Sequence, residues 1–318
     1  MAQQKKAQKR KKKLKETPCI ESGYATMREV AQSDYLDYLK KHKEVVIEDT
    51  KIPLGETKKI KSFEPKEFDL ECTSVWSFPK RGDWATHKGD YRGNWAPEIP
   101  RNIILRYSKP DDTVLDQMMG GGTTLIECKL LNRNAIGLDI NPAAVMLTRE
   151  RLNFNHPNED GTTQKTYLGD ARNLDAVKKE SVDLIATHPP YANIISYSKD
   201  QIDGDLSKVG SISQFDWEIK KIAKESFRVL RPGKYCAILI GDTRKNKHYV
   251  PITPLVMNSF LEAGFLLKED IIKRQWQCKT TSFWSRKSKD YNFLLIMHEH
   301  LYIFRKPEEG ENIDKFRY

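Results

Sequence analysis

The chain has 318 residues, 38% of them hydrophobic, and a formal net charge of +10. This length suits one large α/β domain with an extension, and no apolar run approaches the roughly 20 residues that cross a membrane. The N-terminus lacks the apolar stretch of a secretory signal, and the five scattered cysteines contain no C-x-x-C pair. These features argue against a secreted, membrane-spanning or zinc-ribbon protein and predict free thiols in the cytoplasm.

The positive charge is concentrated at the N-terminus. Residues 1–15 contain eight Lys and Arg residues and no acid, which leaves a net charge of +2 for the other residues. Such a run predicts a disordered tail that either binds a polyanion or only solubilises the protein. We divide the chain into this basic tail (1–20), an N-terminal extension that is a candidate for target recognition (21–92), a catalytic domain (93–308) and a C-terminal tail (309–318).

Hydrophobic periodicity predicts a helix over 24–43, a loop-like aromatic and basic segment over 75–95, and alternating strands and helices from Pro97 onward. The predicted strands are Thr113–Asp116, Ala135–Asp139, Lys165–Gly169, Val182–Thr187, Tyr235–Ile240, Leu266–Lys273 and a stretch within Phe293–Phe304. The predicted helices are Pro97–Ser108, Thr124–Leu131, Pro142–Leu152, a short one near 172–179, Gln214–Leu230 and Thr253–Ala263. This alternation predicts an α/β fold with a mostly parallel, seven-stranded sheet and helices on both faces.

A glycine-rich turn joins the first of these strands to the next helix. Asp116 ends the strand, and the glycines from Gly120 to Gly122 let the backbone approach a ligand closely. The helix predicted to begin at Thr124 presents free N–H groups at its start. Leu125 stands where a dinucleotide-binding loop has its third glycine, and the lysine of a phosphate-binding loop is absent. The turn therefore favours neither NAD nor ATP.

Two acids follow at the ends of the next two strands. Asp139 lies 17 residues after Gly122, where an acid can accept hydrogen bonds from both ribose hydroxyls. Asp170 is placed to accept from an adenine amino group. An adenosine without a diphosphate fits this pair, and the alternative is that both acids cap helices.

The most informative segment is Thr187-His-Pro-Pro-Tyr191, at the end of a buried strand. Two consecutive prolines donate no N–H to a sheet, and each pushes the residue before it into an extended conformation. The chain therefore leaves the strand as a stiff turn at the carboxyl edge of the sheet, where open α/β folds bind ligands.

Together these motifs resemble the SAM-dependent amino-methyltransferases of DNA, which make N6-methyladenine or N4-methylcytosine. Asp116–Thr124 resembles their D-P-F-x-G-x-G-T-T signature, His188–Tyr191 resembles [DNS]-P-P-[YFW], and Asn94–Pro100 resembles the segment that closes over the methionine part of S-adenosyl-L-methionine (SAM). The resemblance covers residues 87–305 and implies a Rossmann-like, SAM-dependent methyltransferase domain. The chain departs from the pattern at Gln117-Met118, which replaces Pro-Phe, and at His188.

The resemblance implies SAM as the cofactor and a target base that leaves the duplex. The implied cofactor-binding residues are Asn94, Trp95, Asp116, Met118, Gly120, Gly122, Thr123, Asp139, Ile140, Asp170 and Ala171. The implied catalytic residues are His188, Pro189, Pro190 and Tyr191. Tyr191 would stack on the base, while the Pro189 carbonyl and the His188 side chain would accept the hydrogens of its amine. Only neutral histidine accepts, so we expect activity to fall near an ordinary histidine pKa of ~6.5; the alternative is that His188 only packs.

Two loops mix basic and aromatic residues, a combination that suits phosphate contact and base stacking. The candidate nucleic-acid-binding residues are Arg244, Lys245, Arg274, Trp276, Lys279, Trp284, Arg286 and Lys287. The segment His298-Glu-His300 suggests a metal site, but we expect a packed or solvated strand end because a third ligand is not evident.

We therefore expect a site-specific DNA methyltransferase that acts on cytosine N4 in slight preference to adenine N6. The expected partner is duplex DNA with a flipped base, with no membrane contact. The expected setting is the nucleoid of a bacterial or phage-infected cell, in company with a cognate restriction endonuclease. The alternatives are an RNA amino-methyltransferase and a SAM-binding nucleic-acid protein that has lost turnover through its histidine at position 188.

Overall fold

The computed structural model describes residues 24–47, 50–55, 60–90, 93–157, 161–190, 205–276 and 281–316. The predictions for the tail at 1–20, for Tyr191 and for Lys279 lie outside these ranges. Within them, no helix combines the length and apolar character needed to cross a membrane.

The described segments contain the following helices and strands. The helices are α1 (Gln32–Lys41), α2 (Glu98–Tyr107), α3 (Thr123–Leu130), α4 (Pro142–Leu152), α5 (Ile212–Val229), α6 (Ile252–Glu262) and α7 (Thr281–Asp290). The strands are β1 (Arg28–Glu29), β2 (Glu44–Ile47), β3 (Thr50–Pro53), β4 (Val75–Ser77), β5 (Thr113–Asp116), β6 (Asn134–Asp139), β7 (Gln164–Leu168), β8 (Val182–Thr187), β9 (Leu230–Ile240), β10 (Thr243–Lys245), β11 (His248–Val250), β12 (Leu266–Arg274) and β13 (His298–Arg305).

The central sheet confirms the predicted seven strands and adds one strand at each edge. Its order in the described residues is β1-β7-β6-β5-β8-β9-β13-β12-β4. The strands β7, β6, β5, β8 and β9 run parallel, and β13 is antiparallel to both of its neighbours. The carboxyl ends of the parallel strands therefore meet at one edge of the sheet.

Helices cover both faces of this sheet, as predicted. Along β8, Ile185 packs in the cluster with α5 and α6, whereas Leu184 and Ala186 pack in the cluster with α2, α3 and α4. All six residues of β8 are buried, because successive side chains of a strand point to opposite faces and both faces are covered. Ser211 and Asn141 begin α5 and α4 by accepting hydrogen bonds from backbone N–H groups in the first turn of each helix.

The N-terminal extension is built into the sheet rather than set beside it. Val75–Ser77, expected as loop, forms β4 and pairs with β12, and Trp76 is 1% exposed. Arg28–Glu29 pairs with β7, so the helix expected from residue 24 starts only at Gln32. The hairpin β2–β3 and α1 pack on α4 in a small separate core.

The short helix predicted near 172–179 is absent, and turns take its place. Side chains of α5 bond its backbone directly: Glu225 accepts from the Leu174 N–H at 2.9 Å, and Arg228 donates to the carbonyls of Leu174 and Val177. These tertiary bonds satisfy the backbone groups that a helix would otherwise pair internally. Two predicted loops also hold regular structure, namely the hairpin β10–β11 and helix α7.

Candidate active site

The candidate cofactor and catalytic residues that the structure describes lie along the carboxyl edge of the sheet. Asp116 and Asp139 are the last residues of the neighbouring strands β5 and β6. Asp170 follows β7 by two residues, and His188 directly follows β8. The structure thus brings together motifs that are far apart in the sequence, at the edge where open α/β sheets bind ligands.

The glycine turn has the conformation that its sequence demands. Gly120 and Gly122 have φ angles of +48° and +78°, in the left-handed region that favours glycine. A Cβ atom on Gly122 would lie 2.7 Å from Cγ2 of Thr148, whose hydroxyl donates to the Gly120 carbonyl at 2.9 Å. Because Gly122 caps α3 without a side chain, the first N–H groups of the helix stay available to a ligand.

Asp116 holds the turn in shape from inside the protein. One carboxylate oxygen accepts from the Met118 N–H at 3.2 Å, and the other accepts from the Thr124 hydroxyl at 2.5 Å. The residue is 2% exposed, and this burial raises its pKa to about 7. The structure therefore gives Asp116 a supporting position under the turn, while the Met118 side chain packs against the apolar core.

Asp139 has the geometry expected of a ribose acceptor. Its two oxygens accept from the backbone N–H groups of Gly120 and Asn141, both at 2.9 Å. The carboxylate is only partly buried, although loss of solvent still raises its pKa to about 6. Each oxygen keeps a lone pair for a hydroxyl donor, and Ile140 follows at the same partly exposed edge.

Asp170 belongs to a buried ion-pair cluster that sequence reasoning missed. It accepts from the backbone N–H and from two guanidinium nitrogens of Arg172. Arg172 also pairs with Glu218 at 2.8 Å and lies 4.3 Å from the ring centre of Tyr24. Burial lowers the pKa of Arg172, but the hydrogen bonds and charges of Asp170 and Glu218 outweigh this effect and raise it. Arg172 thus orients the Asp170 carboxylate beside the buried Ala171, and the Asp-Ala-Arg spacing was the only sequence signal.

Two adjacent residues, Asn94 and Trp95, connect the glycine turn to the Pro-Pro turn. Asn94 accepts a hydrogen bond from the Thr123 hydroxyl at the start of α3. Trp95, 5% exposed, stacks on His188 with ring centres 5.8 Å apart and planes inclined by 26°. The segment resembling the cofactor-closing part of the family therefore does contact both motifs.

The surroundings of His188 keep it neutral. Burial lowers its pKa to about 4, with the nearby Lys273 cation adding to this effect and the Glu299 carboxylate opposing it. Lys273 and Glu299 themselves pair at 2.6 Å at the ends of β12 and β13. The expected ordinary pKa of ~6.5 is therefore wrong for His188, whose uncharged form persists through neutral pH. Pro189 is buried and Pro190 exposed at the turn.

The partly buried Arg81 and the buried Arg151 hold Asn94, Trp95 and the neighbouring glycine turn in place. Arg81 donates to the carbonyls of Asn94 at 3.0 Å and Trp95 at 2.6 Å. Arg151, on α4, donates to the Gly121 carbonyl at 3.0 Å and pairs with Asp90. Sequence reasoning missed both residues, because an arginine bound to carbonyls leaves no local pattern.

A buried carboxylate anchors the residues that precede and follow Asn94 and Trp95 in the chain. Glu127 on α3 is fully buried and accepts from Trp84, His87 and Arg101 at 2.7–3.0 Å. Burial lowers the pKa of His87, so its ring donates as a neutral group. Trp84, His87 and Arg101 are therefore structural residues, and Trp84 forms part of the core.

The described candidate nucleic-acid residues lie in two places. Arg274 and Trp276 lie at and just after the end of β12, and the others lie on hairpin β10–β11 and helix α7. Arg274 lies 4.1 Å from the Trp276 ring at the end of β12. Trp284, 41% exposed, and Lys287 lie on α7, with the Lys287 ammonium 5.3 Å from the Trp284 ring. Arg286 and Lys245 are exposed, whereas Arg244 bonds the carbonyls of Lys247 and Leu294. The structure thus brings the hairpin β10–β11 against the loop after α7.

The histidines of His298-Glu-His300 do share one face of β13, with ring centres 5.3 Å apart. Glu299 points to the other side and pairs with Lys273, and His300 lies 2.9 Å from Asp270. Among the described residues, no group of three His, Cys, Asp or Glu side chains is placed to hold a metal ion.

Comparison with known proteins identifies the family. A profile described as DNA methylase matches residues 4–150 and 182–318, and one described as RMKL-like, methyltransferase domain, matches residues 104–203. The Type II methyltransferase M.MthZI of Methanothermobacter thermautotrophicus is 27% identical over 167 residues, which cover 47% of this chain and 46% of that protein. The Type II methyltransferase M.HpaI of Haemophilus parainfluenzae is 45% identical over 80 residues, 25% of this chain and 26% of that protein.

A tRNA (guanine(10)-N2)-dimethyltransferase of Methanothermobacter thermautotrophicus is 36% identical over 103 residues, 32% of this chain and 29% of that protein. The chain thus spans less than half the length of each of these three relatives. The DNA methylase profile, in contrast, covers most of the chain on both sides of a single gap. With the glycine turn, the strand-end acids and the Pro-Pro turn all at one sheet edge, the chain belongs to the DNA methylase family of SAM-dependent amino-methyltransferases.

Proposed function

We propose that this protein transfers a methyl group from SAM to an exocyclic amine of a base in DNA, with cytosine N4 favoured over adenine N6. The observation that carries the proposal is the Trp95–His188 stack. It joins the turn that follows β8 to the segment that bonds the glycine turn. A target amine at Pro189 would therefore lie next to the methyl-donor end of the cofactor.

The described residues support binding of this cofactor. Asp139 would accept from the ribose hydroxyls, the first N–H groups of α3 lie after the glycine turn, and Asp170, held by Arg172, would accept from an adenine amine. Asn94 and Trp95 would close over the methionine part. When bound, SAM supplies a methyl group on a sulfonium centre, which is already strongly electrophilic.

Methyl transfer to a base amine depends more on how the amine is positioned than on a strong base. The lone pair of a base amine is delocalised into its ring, so the amine is a poor nucleophile until acceptors turn its hydrogens away. The Pro189 carbonyl and a neutral ring nitrogen of His188 would accept those two hydrogens. Tyr191 would stack on the base, a contact worth ~1–3 kcal/mol.

The preference for cytosine rests on one residue of the motif. Thr187 stands before His188-Pro-Pro-Tyr, and Thr-Ser-Pro-Pro-Tyr is frequent in the cytosine-N4 subset of the resembling family. Adenine N6 is the nearest alternative, since both bases present an amine to the same acceptors. A cognate restriction endonuclease, expected from the resemblance, remains a prediction.

RNA is the second candidate substrate, because the tRNA dimethyltransferase matches at 36% identity. Methylation of an RNA amine needs the same acceptors at the Pro-Pro turn. The mixed surface of hairpin β10–β11 and helix α7 suits either polyanion.

One experiment tests these substrates together. Cells that lack DNA methylation express the chain, and modification-sensitive sequencing then reads their DNA; the purified protein is also given labelled SAM with duplex DNA or with tRNA. We expect N4-methylcytosine at a defined sequence and label in DNA. Label in tRNA alone would contradict the proposal, and SAM binding without product would support the inactive alternative. Cells that carry the empty vector and reactions without the protein serve as the negative controls.

A further inference from the structure

The loop between α7 and β13 carries an apolar side chain that is largely exposed in the described part of the chain. Leu294 is 82% exposed, the largest fraction among the exposed large hydrophobic residues that the structure describes. Isolated exposed leucines are ordinary on protein surfaces. Leu294 differs from these because hydrogen bonds hold the backbone of its loop and because positively charged side chains lie near it.

The loop that carries Leu294 is fixed at several points. Arg244 donates from Nε to the Leu294 carbonyl at 2.9 Å. The Phe293 N–H donates to the Ser288 carbonyl at 3.0 Å, and the Gln275 N–H donates to the Met297 carbonyl at 2.9 Å. Leu294 is therefore presented on a preorganised backbone, so holding it there costs little further entropy on binding.

The surroundings of Leu294 are cationic. A groove between the hairpin and this loop is lined in part by Arg244, Lys247 and Lys289, with Phe293 and Leu294 on its wall. The hairpin segment 243–249 contains no acid, and Asp290 is the one acid in α7. An apolar side chain beside these cations matches a partner that has anions on its outside and an apolar interior. Duplex nucleic acid has this arrangement, with its phosphates outside and its stacked bases inside.

Leu294 also lies close to the Pro-Pro turn along the chain. It precedes His298, the first residue of β13, by four residues, a span of at most about 14 Å at ~3.3–3.6 Å per residue. The next residue, Glu299, is one of the charged groups that act on His188. A duplex that delivers a base to His188 therefore passes within reach of this loop.

We propose that Leu294 enters the base stack and occupies the space that the target base leaves. This inference rests on the proposed function, because it requires a base to leave the duplex. Apolar side chains of other DNA-binding proteins insert between base steps in this way. By filling the gap, Leu294 would lower the cost of extruding a base from a well-paired duplex, with Arg244 holding the loop and the cations contacting the flanking phosphates.

The test compares Leu294→Ala with the wild type in single-turnover methylation, using the duplex sequence that sequencing identifies. One substrate is fully paired, and the other has a mismatch at the target base, which makes extrusion cheaper. We expect Leu294→Ala to slow the paired substrate about tenfold and the mismatched one less than about twofold. Leu294→Met, which keeps an apolar wedge, should retain the wild-type rate on both.

Leu261→Ala is the matched control, since Leu261 is 38% exposed on α6, a helix with no candidate site residue, and it should leave both rates unchanged. Equal slowing of both substrates by Leu294→Ala, or no slowing of either, would overturn the inference while the wild type still methylates. A wild type that methylates neither duplex would instead overturn the proposed function, and the inference with it.

Discussion

At the scale of single residues, His188 is the residue to which the proposed function gives a part in holding the amine. Motif matching shows that it replaces the usual Asp, Ser or Asn, but the motif says nothing about its charge. Lys273 and Glu299, which act on its pKa, come from strands more than eighty residues later in the chain. The motif thus suggests a role for His188, whereas the pKa of its ring depends on neighbours that only the fold brings together.

The lowered pKa predicts an unusual pH profile. As the pH falls, His188 stays neutral and able to accept until about pH 4. We therefore expect the ratio of the wild-type rate to that of His188→Asn to stay constant from pH 8 to about pH 5.5 and to fall only towards pH 4. Single-turnover rates across this range check the profile, and a midpoint near 6.5 would contradict it.

Removal of the acceptor should be more severe. His188→Phe keeps a ring for the Trp95 stack but accepts no hydrogen bond, so we expect at least about a tenfold loss of rate. An unchanged rate would mean that His188 only packs.

The lowered pKa of His188 also predicts how stability depends on pH. The unfolded chain binds this proton below about pH 6.5 and the folded protein only near pH 4, so the free energy of unfolding decreases as the pH falls towards 4.

At the scale of elements, the sequence predicted the strands well and the connections poorly. Five of the seven core strands appear within one residue of their predicted bounds, because buried runs such as Val182–Thr187 are mostly apolar. The strand β9 begins five residues before its predicted start, and β13 begins five residues after Phe293. The segment over 75–95 was predicted as a loop from its charged and aromatic residues. Those side chains are instead paired inside the protein, on partners such as Glu127 that periodicity does not reveal.

Arg81 is expected to be a positioning residue for the cofactor. Arg81→Met removes the donors that hold the carbonyls of Asn94 and Trp95, so the segment that closes over the cofactor should loosen. Loss of hydrogen bonds to a charged group costs roughly 1.5–3 kcal/mol, which predicts a rise of about tenfold or more in the Kd for SAM. Isothermal titration calorimetry measures this change.

The kinetic signature separates positioning from general damage to the fold. The rate of Arg81→Met at saturating SAM should stay near that of the wild type, while the KM for SAM rises. Arg106→Met, at an exposed position on α2, is the matched control and should change neither value. A variant with unchanged KM but a lower saturated rate would show that Arg81 acts elsewhere.

At the scale of the whole molecule, the described parts of residues 24–90 are integrated into the central sheet and its core. They supply strands at opposite edges of one sheet, next to β7 and next to β12. Trp76 and Trp84 are buried in the same core as α2 and α3. The extension therefore cannot be removed as a free recognition module without exposing the sheet, although parts of it remain candidates for DNA contact.

The charge distribution predicts a tail effect on DNA binding. The tail at 1–15 holds eight of the ten net positive charges, and each phosphate contact contributes about −0.9 to the slope of log K against log salt concentration. Deleting these residues should make that slope less steep, by up to about 7 if every cation contacts a phosphate, and leave the affinity for SAM unchanged. Fluorescence anisotropy over a salt series measures the slope.

A tail of equal length in which glutamine replaces each lysine and arginine is the control for chain length, and it should behave like the deletion. An unchanged slope in both variants would favour the alternative that the tail only solubilises the protein.

The sequence by itself determined the α/β class, the seven core strands and the two motifs, because these depend on local signals: strand hydrophobicity, glycine conformation and the missing N–H groups of proline. Only the tertiary structure decided how the motifs meet. The Trp95–His188 stack, the Arg172 cluster around Asp170 and the exposed Leu294 loop depend on contacts between distant segments. Such contacts follow from strand order and packing, and no local pattern of residues encodes them.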